Sequence, residues 1–417
     1  MRLPRRSWLK WGGALAAGAV LPLPLLFRHR GGQRSRLVSD RAGLLDLAPG
    51  LTYRVVDRAL EPMSDGYRVP ARPDGMGCFE GPAGTLVLMR NHELDHNRHL
   101  GAWREAPPEA FDPSCHGGVT RVVLERRTLE RRASNLVLTG TLRNCAGGAS
   151  PWGWLSCEET VSRGHGWVFL CATNAGRVAP PRRIPAYGRF NHEAACVDPA
   201  THIAYLTEDR ADGCLYRFVP RDRGRPFEGA LQALAVPGSP RRVTSDGLRI
   251  GARLAVDWVD VPDPAPDSDT VREQAQERGA AIVRRGEGMF FHQGKVYFVA
   301  TSGGPAGAGQ VFRLDLATGV LELMAQSEDG EELDGPDNVT VAPWGDIVVA
   351  EDGSGDQYVR GITPSGRIYD IARNARSGGE FAGVCFAPDG AALFFNLQNE
   401  GITVAVSGAL AELRSRV

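Results

Sequence analysis

Side chains that bind metal ions cluster at the ends of several short apolar segments of this chain. The segment at 152–155 runs directly into Ser156, Cys157, Glu158 and Glu159. Carboxylates beside apolar residues are costly to bury unless a cation compensates their charge. Their hard oxygens suit Ca²⁺ or Fe³⁺, while a thiolate beside two glutamates suggests a transition metal such as iron. The pattern therefore indicates metal chemistry, although Cys157 could equally be a buried structural thiol.

A second group of carboxylates, which comes just before or at the start of short apolar segments, widens the set of candidate ligands. They are Glu193, Glu287, Asp337 and Glu380. Arg285 lies two residues before Glu287, and a guanidinium beside a metal cluster would suit a phosphate anion. The alternatives are carboxylates that cap neighbouring strands and a plain ion pair of Arg285 with one of the acids. With nine histidines and no HExxH spacing, a zinc site is not favoured.

The apolar segments recur six times, and this repeat predicts the fold. In each unit a polar segment, a turn and an apolar strand follow in the same order, as at 287–300. Short, evenly repeated strand groups are typical of propeller blades, and paired inner strands would bring twelve strand ends to one mouth. We therefore expect an all-β fold, a six-bladed β-propeller, with a β-sandwich as the alternative. Residues 227–285 interrupt the repeat and are expected to be an insertion over the propeller, as a lid would be.

Composition and charge argue against several function classes. The formal net charge of −1 offers no basic field for nucleic acid. The sequence contains no P-loop, Rossmann or GxSxG fingerprint, so nucleotide binding and serine hydrolysis lack support. The eight cysteines show no CxxC spacing. Most lie in apolar runs and are expected to be buried free thiols, while Cys115 and Cys145 could pair.

The first 30 residues are expected to be an export signal. Arg5-Arg6-Ser7-Trp8-Leu9-Lys10 matches the twin-arginine pattern, and an apolar stretch at 11–27 follows. An ordinary membrane anchor is the alternative. The twin-arginine route carries proteins that have already folded, often with a cofactor installed. We therefore expect residues 31–417 to form a single domain that acts in the periplasm or outside the cell, with retention at the membrane left open.

Several motifs together resemble the PhoX family of alkaline phosphatases, from about Asp74 to the C-terminus. The most specific is Trp154-Leu155-Ser156-Cys157-Glu158-Glu159. The others lie at 74–79, 91–93, 144–153, 188–193, 207–210, 334–338, 351–353 and 380–390. A set of motifs in this order is more specific than any one of them alone.

The resemblance implies a twin-arginine-exported phosphomonoesterase that acts on small phosphomonoesters. It implies a six-bladed propeller with an oxo-bridged cluster of Fe³⁺ and Ca²⁺ in its channel. Cys157 would then bind ferric iron, and Arg285 would hold the substrate phosphate. The carboxylates that would complete the metal shells are Glu158, Glu193, Glu287, Asp337 and Glu380. The chain is a short member of the family, so the insertions that shape the substrate pocket are expected to be missing or trimmed.

Two other functions stay open at this point. A calcium-dependent lactonase-like propeller hydrolase would need one calcium ion and have no use for Cys157, so iron content separates it from the phosphatase. A non-catalytic propeller would bind a protein or a polysaccharide, and replacing Glu158 or Glu287 would leave its function intact. In every case we expect a monomer that has no nucleic acid partner, with the twin-arginine export machinery as its protein partner.

Overall fold

Six antiparallel β-sheets arranged around a central channel account for most of the residues that the computed structural model describes, 37–328 and 330–415. The innermost strand of each sheet contacts the innermost strands of both neighbouring sheets, so the ring is closed. Each sheet is therefore one blade of a six-bladed β-propeller, as the repeat predicted. The alternative of a β-sandwich is excluded, because the sheets surround an axis instead of stacking in two layers.

The strands are numbered in chain order. The chain starts with β1 (Leu45–Leu47) and β2 (Leu51–Arg58). Blade 1 contains β3 (Pro73–Glu80), β4 (Thr85–His92), β5 (Gly117–Glu125) and β6 (Arg131–Thr141). Blade 2 contains β7 (Asn144–Ser150), β8 (Gly153–Glu158) and β9 (Val168–Cys171). Blade 3 contains β10 (His192–Val197), β11 (Ala204–Glu208), β12 (Leu215–Pro220) and β13 (Gly229–Ala235).

The remaining elements follow in the same way. After blade 3 come β14 (Arg253–Ala255), β15 (Asp257–Asp260) and the helix α1 (Val271–Glu277). Blade 4 contains β16 (Gly286–His292), β17 (Lys295–Ala300), β18 (Gln310–Asp315) and β19 (Val320–Gln326). Blade 5 contains β20 (Pro336–Val341), β21 (Ile347–Glu351), β22 (Tyr358–Ile362) and β23 (Ile368–Asn374). Blade 6 contains β24 (Phe381–Phe386), β25 (Ala392–Leu397) and β26 (Ile402–Gly408). Short 3₁₀ turns lie at Pro185–Tyr187 and Leu410–Ser415.

The two N-terminal strands complete blades that are otherwise built from the C-terminal part of the chain. Strand β1 pairs with β23 at the outer edge of blade 5, and β2 pairs with β26 at the outer edge of blade 6. Leu51 lies opposite Gly408 in this last pairing. The ring is thus closed by backbone hydrogen bonds between strands from opposite ends of the sequence.

The segment expected to be an insertion, 227–285, is in part a regular piece of the propeller. Strand β13 is the fourth strand of blade 3, and β15 extends that blade by a fifth. Strand β14 instead adds to the outer edge of blade 4. The segment therefore joins the outer edges of two blades, and the loop at 236–252 and the residues around α1 lie outside the blade pattern.

The hydrophobic core lies between neighbouring blades. Val87 and Met89 of blade 1 share one buried cluster with Phe169 of blade 2, and Leu215 of blade 3 shares another with Phe298 of blade 4. Because the blades pack through the faces of their sheets, the ends of the strands can carry functional side chains.

The described residues belong to one compact unit, Gln33–Val417. The predicted export signal at 1–30 lies outside the described residues. Within the described part, no helix has the length and apolar character needed to cross a membrane.

Candidate metal centre

The first residues of all six innermost strands bulge away from regular pairing at the same end of the channel. A bulge re-aims the side chain of its extra residue. Five of the six bulges carry a carboxylate or a thiol, and these residues are Asp74, Cys145, Glu193, Glu287 and Asp337. The sixth bulge, in β24, has Gly383 at this place, and Glu380 lies immediately before that strand.

Glycines beside two of these bulges let neighbouring blades approach closely. A Cβ on Gly75 would lie 2.5 Å from the Cα of Ala146, and a Cβ on Gly288 would lie 2.7 Å from the Cα of Asn338. No side chain fits in that space. The Asp-Gly and Glu-Gly pairs of the sequence therefore combine a metal-binding side chain with the narrow backbone spacing that brings its neighbour near.

A second ring of polar side chains faces the same mouth. Its members are the residues that directly follow the second strand of each blade: Glu93, Glu159, Asp209, Thr301, Asp352 and Gln398. The ends of the second strands lie opposite the starts of the innermost strands, as in the pair Asn144 and Glu158. The twelve strand ends therefore meet at one mouth, as the repeat predicted.

Two sets of donor atoms lie close enough to share metal ions. Ligand atoms of Cys145, Glu159 and Glu193 lie within 4.8 Å of one another, and so do ligand atoms of Glu193, Glu287 and Asp337. Glu193 belongs to both sets. Its side chain is almost fully buried, and neither carboxylate oxygen has a hydrogen-bond partner among the described residues. A buried carboxylate without partners is costly, and a cation would relieve that cost.

Burial and mutual repulsion hold these carboxyls far from their ordinary ionisation. The pKa values of Glu193, Glu287 and Asp337 lie well above the usual range, first because of burial and then because of neighbouring carboxylates. Burial and the charges of Asp352 and Asp337 raise the pKa of Glu380 to about 10. Multivalent cations would remove this penalty, so the site is suited to binding them.

Asp74 and Glu159 at the mouth show the same effect to a smaller degree. Burial and the charge of Glu93 raise the pKa of Asp74 to about 7. Burial also raises the pKa of Glu159 to about 7, although Arg143 opposes this shift. Oxygen donors with a single thiol form a mixed set that fits hard cations together with a transition metal.

Three arginines stand at equivalent positions around the mouth, each directly before an innermost strand. Arg72, Arg143 and Arg285 have φ angles of 47°, 52° and 48°, in the left-handed region that residues with a Cβ rarely adopt. Arg285 Nε donates to Asp209 Oδ1 at 2.8 Å, and its Nη2 donates to Glu287 Oε1 at 2.9 Å. The structure thus places Arg285 in ion pairs with two carboxylates of the mouth.

The geometry does not fit the prediction that Cys157 and Glu158 bind metal ions in the channel. Cys157 is fully buried in the hydrophobic cluster that includes Leu155 and Val168, and burial raises the pKa of its thiol strongly. Glu158 points away from the mouth and accepts hydrogen bonds from the backbone N–H groups of Leu142, Gly166 and Trp167. Successive strand residues face opposite sides, so a shift of one residue exchanges Glu158 for Glu159.

The thiol at the mouth is Cys145, which sequence reasoning treated as a possible disulfide partner of Cys115. All eight cysteines lie among the described residues, and each is a free thiol there. Asp74, Glu93, Glu159 and Asp209 were also missed as site residues. The signal that could have found Cys145 and Asp74 is their position in the repeat, since each occupies the place of Glu193 and Glu287 in its own unit.

Comparison with known proteins gives the family and the fold. The alkaline phosphatase PhoX family matches residues 33–135 and 127–401. Among solved structures, PhoX from Pseudomonas fluorescens in complex with vanadate, a transition-state analogue, superposes with a TM-score of 0.67 at 17% identity, and the match covers 90% of this chain and 97% of that one.

Two further solved structures match with lower TM-scores, and none of the curated proteins matches. A gluconolactonase from Xanthomonas campestris has a TM-score of 0.43 at 13% identity, with 86% of this chain and 98% of that chain covered. A virginiamycin B lyase from Staphylococcus aureus has a TM-score of 0.41 at 11% identity, with 86% and 99% covered. The family match extends over most of this sequence, and the chain therefore belongs to the alkaline phosphatase PhoX family.

Proposed function

We propose that this protein is an exported, metal-dependent phosphomonoesterase whose iron and calcium ions lie at the mouth of the propeller channel. Family membership supports phosphatase activity. The observation that carries the metal dependence is the double set of donors that share Glu193, because its buried oxygens have no other partner among the described residues. Small phosphomonoesters are the proposed substrates.

The donor chemistry supports a mixed metal set. The thiolate of Cys145 would select a transition metal such as Fe³⁺, in place of the predicted Cys157. The carboxylates of Glu159, Glu193, Glu287, Asp337 and Glu380 would hold Fe³⁺ and Ca²⁺ through oxygen. When bound, such ions supply Lewis acidity and lower the pKa of a coordinated oxygen nucleophile.

The protein's own contribution at this site is to bind and orient the phosphate. The contacts of Arg285 to Asp209 and Glu287 use its Nε and Nη2 atoms, so Nη1 can donate to a phosphate oxygen. The side chain of Arg285 is nearly half exposed, which leaves it accessible from the mouth. Two acids hold it in place, and this fixed orientation favours one position of the phosphate over the acidic ring.

The test compares two cysteines in the natively exported protein, with hydrolysis of an aryl phosphate as the readout. Chelation is expected to abolish hydrolysis, and added Ca²⁺ to restore it where iron has been retained. Cys145→Ala should lower the rate by at least about 100-fold, because it removes a metal ligand. Cys157→Ala is the matched control and should keep the rate, since its thiol lies in a hydrophobic cluster.

The opposite results would refute the proposal. Hydrolysis that survives both chelation and Cys145→Ala would show that the ring of acids is not the metal centre. Hydrolysis of a lactone with no hydrolysis of aryl phosphate would favour the calcium-dependent lactonase alternative.

Export is proposed on sequence grounds, from the twin-arginine pattern at Arg5 and Arg6. Replacing both with lysine should retain the protein in the cytoplasm, which cell fractionation measures. A variant that still reaches the periplasm or the medium would argue for another route.

A further inference from the structure

A second cluster of metal-binding side chains lies outside the channel, between the loops of two neighbouring blades. Loop 93–116 joins β4 to β5 in blade 1, and loop 159–167 joins β8 to β9 in blade 2. Asp112 and Cys115 of the first loop have ligand atoms within 4.8 Å of a ligand atom of His165 in the second. Loop 93–116 has no helix or strand, and loops of that length in a compact domain usually have a function.

The distances among Asp112, Cys115 and His165 suit three of the four positions around one tetrahedral ion, and His96 lies close to the thiol of this group. The sulfur of Cys115 lies 3.7 Å from His165 Nε2 and 3.7 Å from His96 Nδ1, and His165 Nε2 lies 3.6 Å from Asp112 Oδ2. A zinc ion with bonds of about 2.3 Å to sulfur and about 2.0–2.1 Å to nitrogen would hold such donors about 3.6 Å apart. His96 Nδ1 also lies 3.0 Å from the Ser114 carbonyl oxygen, a contact that it would give up on binding.

The orientation of His165 matches that of a metal ligand. Its ring is almost fully buried, and Nδ1 lies 2.7 Å from the fully buried carboxylate of Glu158. Nε2 therefore faces the thiol of Cys115, which is 1% exposed. Histidine ligands are commonly oriented by a carboxylate in this way. This assigns a task to Glu158, which does not reach the channel.

The site is accessible although two of its donors are buried. Asp112 is partly exposed and His96 is exposed, so an ion can reach the buried Cys115 and His165 from solvent. The site is separate from the channel, because Glu158 and Glu159 extend from the end of β8 toward opposite sides.

We propose that Asp112, Cys115 and His165 bind one divalent transition-metal ion of the zinc class, and that His96 turns in from the exposed side as a further ligand. The ion fastens loop 93–116 of blade 1 to loop 159–167 of blade 2. The competing interpretation is a hydrogen-bonded thiol–imidazole pair that binds no metal.

The test uses the chelated full-length protein with Cys145→Ser, which removes the thiol of the channel. Titration with Co²⁺ should give a thiolate-to-cobalt charge-transfer band, and Zn²⁺ should displace it at one ion per chain. Adding Cys115→Ser should abolish the band. Glu158→Gln should weaken Zn²⁺ binding by about 10- to 100-fold, as loss of an orienting carboxylate does. Cys157→Ser, which changes the residue next to Glu158, is the matched control and should keep the band.

Folding is measured separately, so that loss of the charge-transfer band can be attributed to loss of metal binding and not to unfolding. The circular dichroism and the unfolding temperature of Cys115→Ser in chelator should match those of the Cys145→Ser parent, while Glu158→Gln should keep the circular dichroism and unfold at a lower temperature. If Cys115→Ser does not fold, Asp112→Asn on the partly exposed loop replaces it and should weaken Zn²⁺ binding. A band that is absent from the parent, or that persists without Cys115, overturns the proposal.

Discussion

Glu158 and Glu159 are adjacent in sequence but have opposite surroundings. Glu158 accepts three backbone hydrogen bonds and contacts His165, whereas Glu159 faces the acidic mouth and lies 3.6 Å from Arg143. Glu158 therefore stabilises the fold as a carboxylate, while Glu159 in the metal-free protein adds to a repulsive cluster. Neutral replacements of the two should change stability in opposite directions.

This contrast can be tested with two isosteric variants. Glu158→Gln should destabilise the protein by about 1–3 kcal/mol, because charged acceptors of buried N–H groups are lost. Glu159→Gln should raise the unfolding temperature of the chelated protein and lower aryl phosphate hydrolysis by the metal-loaded protein. Thermal unfolding in chelator measures the first effect. Equal shifts of the same sign in both variants would contradict the assignment.

Arg285 is held in left-handed backbone between two acids, and such backbone strain of about 1–3 kcal/mol typically persists at functional sites. Lysine keeps the charge but loses the fork of N–H donors. Arg285→Lys should therefore lower kcat/KM for an aryl phosphate by about 10- to 100-fold, since one or two charged hydrogen bonds to the phosphate are lost. Steady-state kinetics measures this.

Arg272→Lys is the control, because Arg272 also pairs with acids but belongs to α1 outside the acidic ring; its partners are Glu208, Asp212 and Asp269. Its kcat/KM should be unchanged. An unchanged kcat/KM in Arg285→Lys as well would move phosphate binding to another group of the mouth.

At the scale of elements, the bulged innermost strands determine how wide the metal site is. Gly288 in β16 lies against the backbone of β20, at 2.7 Å from Asn338 Cα for an added Cβ. A side chain there has to push two blades apart just where Glu287 and Asp337 converge. The distance between β16 and β20 therefore sets the distance between the carboxylates of Glu287 and Asp337.

Gly288→Ala should consequently affect stability and metal binding together. Overpacking of this kind costs about 1–3 kcal/mol, and the wider ring should weaken Ca²⁺ binding. Isothermal titration with Ca²⁺ and thermal unfolding measure the two effects. Gly176→Ala is the control, because nothing lies within 4 Å of its added Cβ and its φ is not left-handed. An unchanged Ca²⁺ affinity in Gly288→Ala would show that the distance between the strands does not determine the distance between the metal-binding carboxylates.

The elements also show what could be read from the sequence and what could not. The six units and the convergence of their strand ends were predictable, because turns and apolar strands recur in a fixed order. The side chain that faces the channel was not, since a bulge shifts the side-chain alternation by one residue and is invisible in composition. The sequence favoured Cys157 because it adjoins two glutamates, whereas Cys145 lies in the bulge of β7 and looked like a possible disulfide partner. The cluster at His165 could not be predicted either, because its donors come from two separate loops.

For the whole molecule, the acidic ring makes stability depend on pH with an unusual sign. In the metal-free protein the pKa values of Asp74 and Glu159 are about 7, above their values of 3.8 and 4.5 in an unfolded chain, and that of Glu380 is about 10. The folded state therefore binds more protons than the unfolded state between about pH 4 and pH 10. Stability from these groups is present at low pH and is lost as the pH rises.

The chelated protein should accordingly unfold at a lower temperature at pH 8 than at pH 5. With Ca²⁺ present the loss should be reversed, because ionised carboxylates become ligands and metal affinity increases with pH. Thermal unfolding at both pH values, with and without chelator, measures this. A chelated protein that is more stable at pH 8 than at pH 5 would show that the acids are not repulsive.

The pairing of β2 with β26 places a condition on when folding can finish. Because Leu51 meets Gly408, the ribosome has to synthesise the chain through β26 before blade 6 gains its outer strand. A product that stops early leaves β1 and β2 as unpaired edges near the start of the chain, where such edges invite aggregation. If export proceeds by the twin-arginine route, which accepts folded cargo, β2 finds its partner only after β26 has been synthesised. Ring closure then distinguishes finished polypeptides from truncated ones before either can leave the cytoplasm.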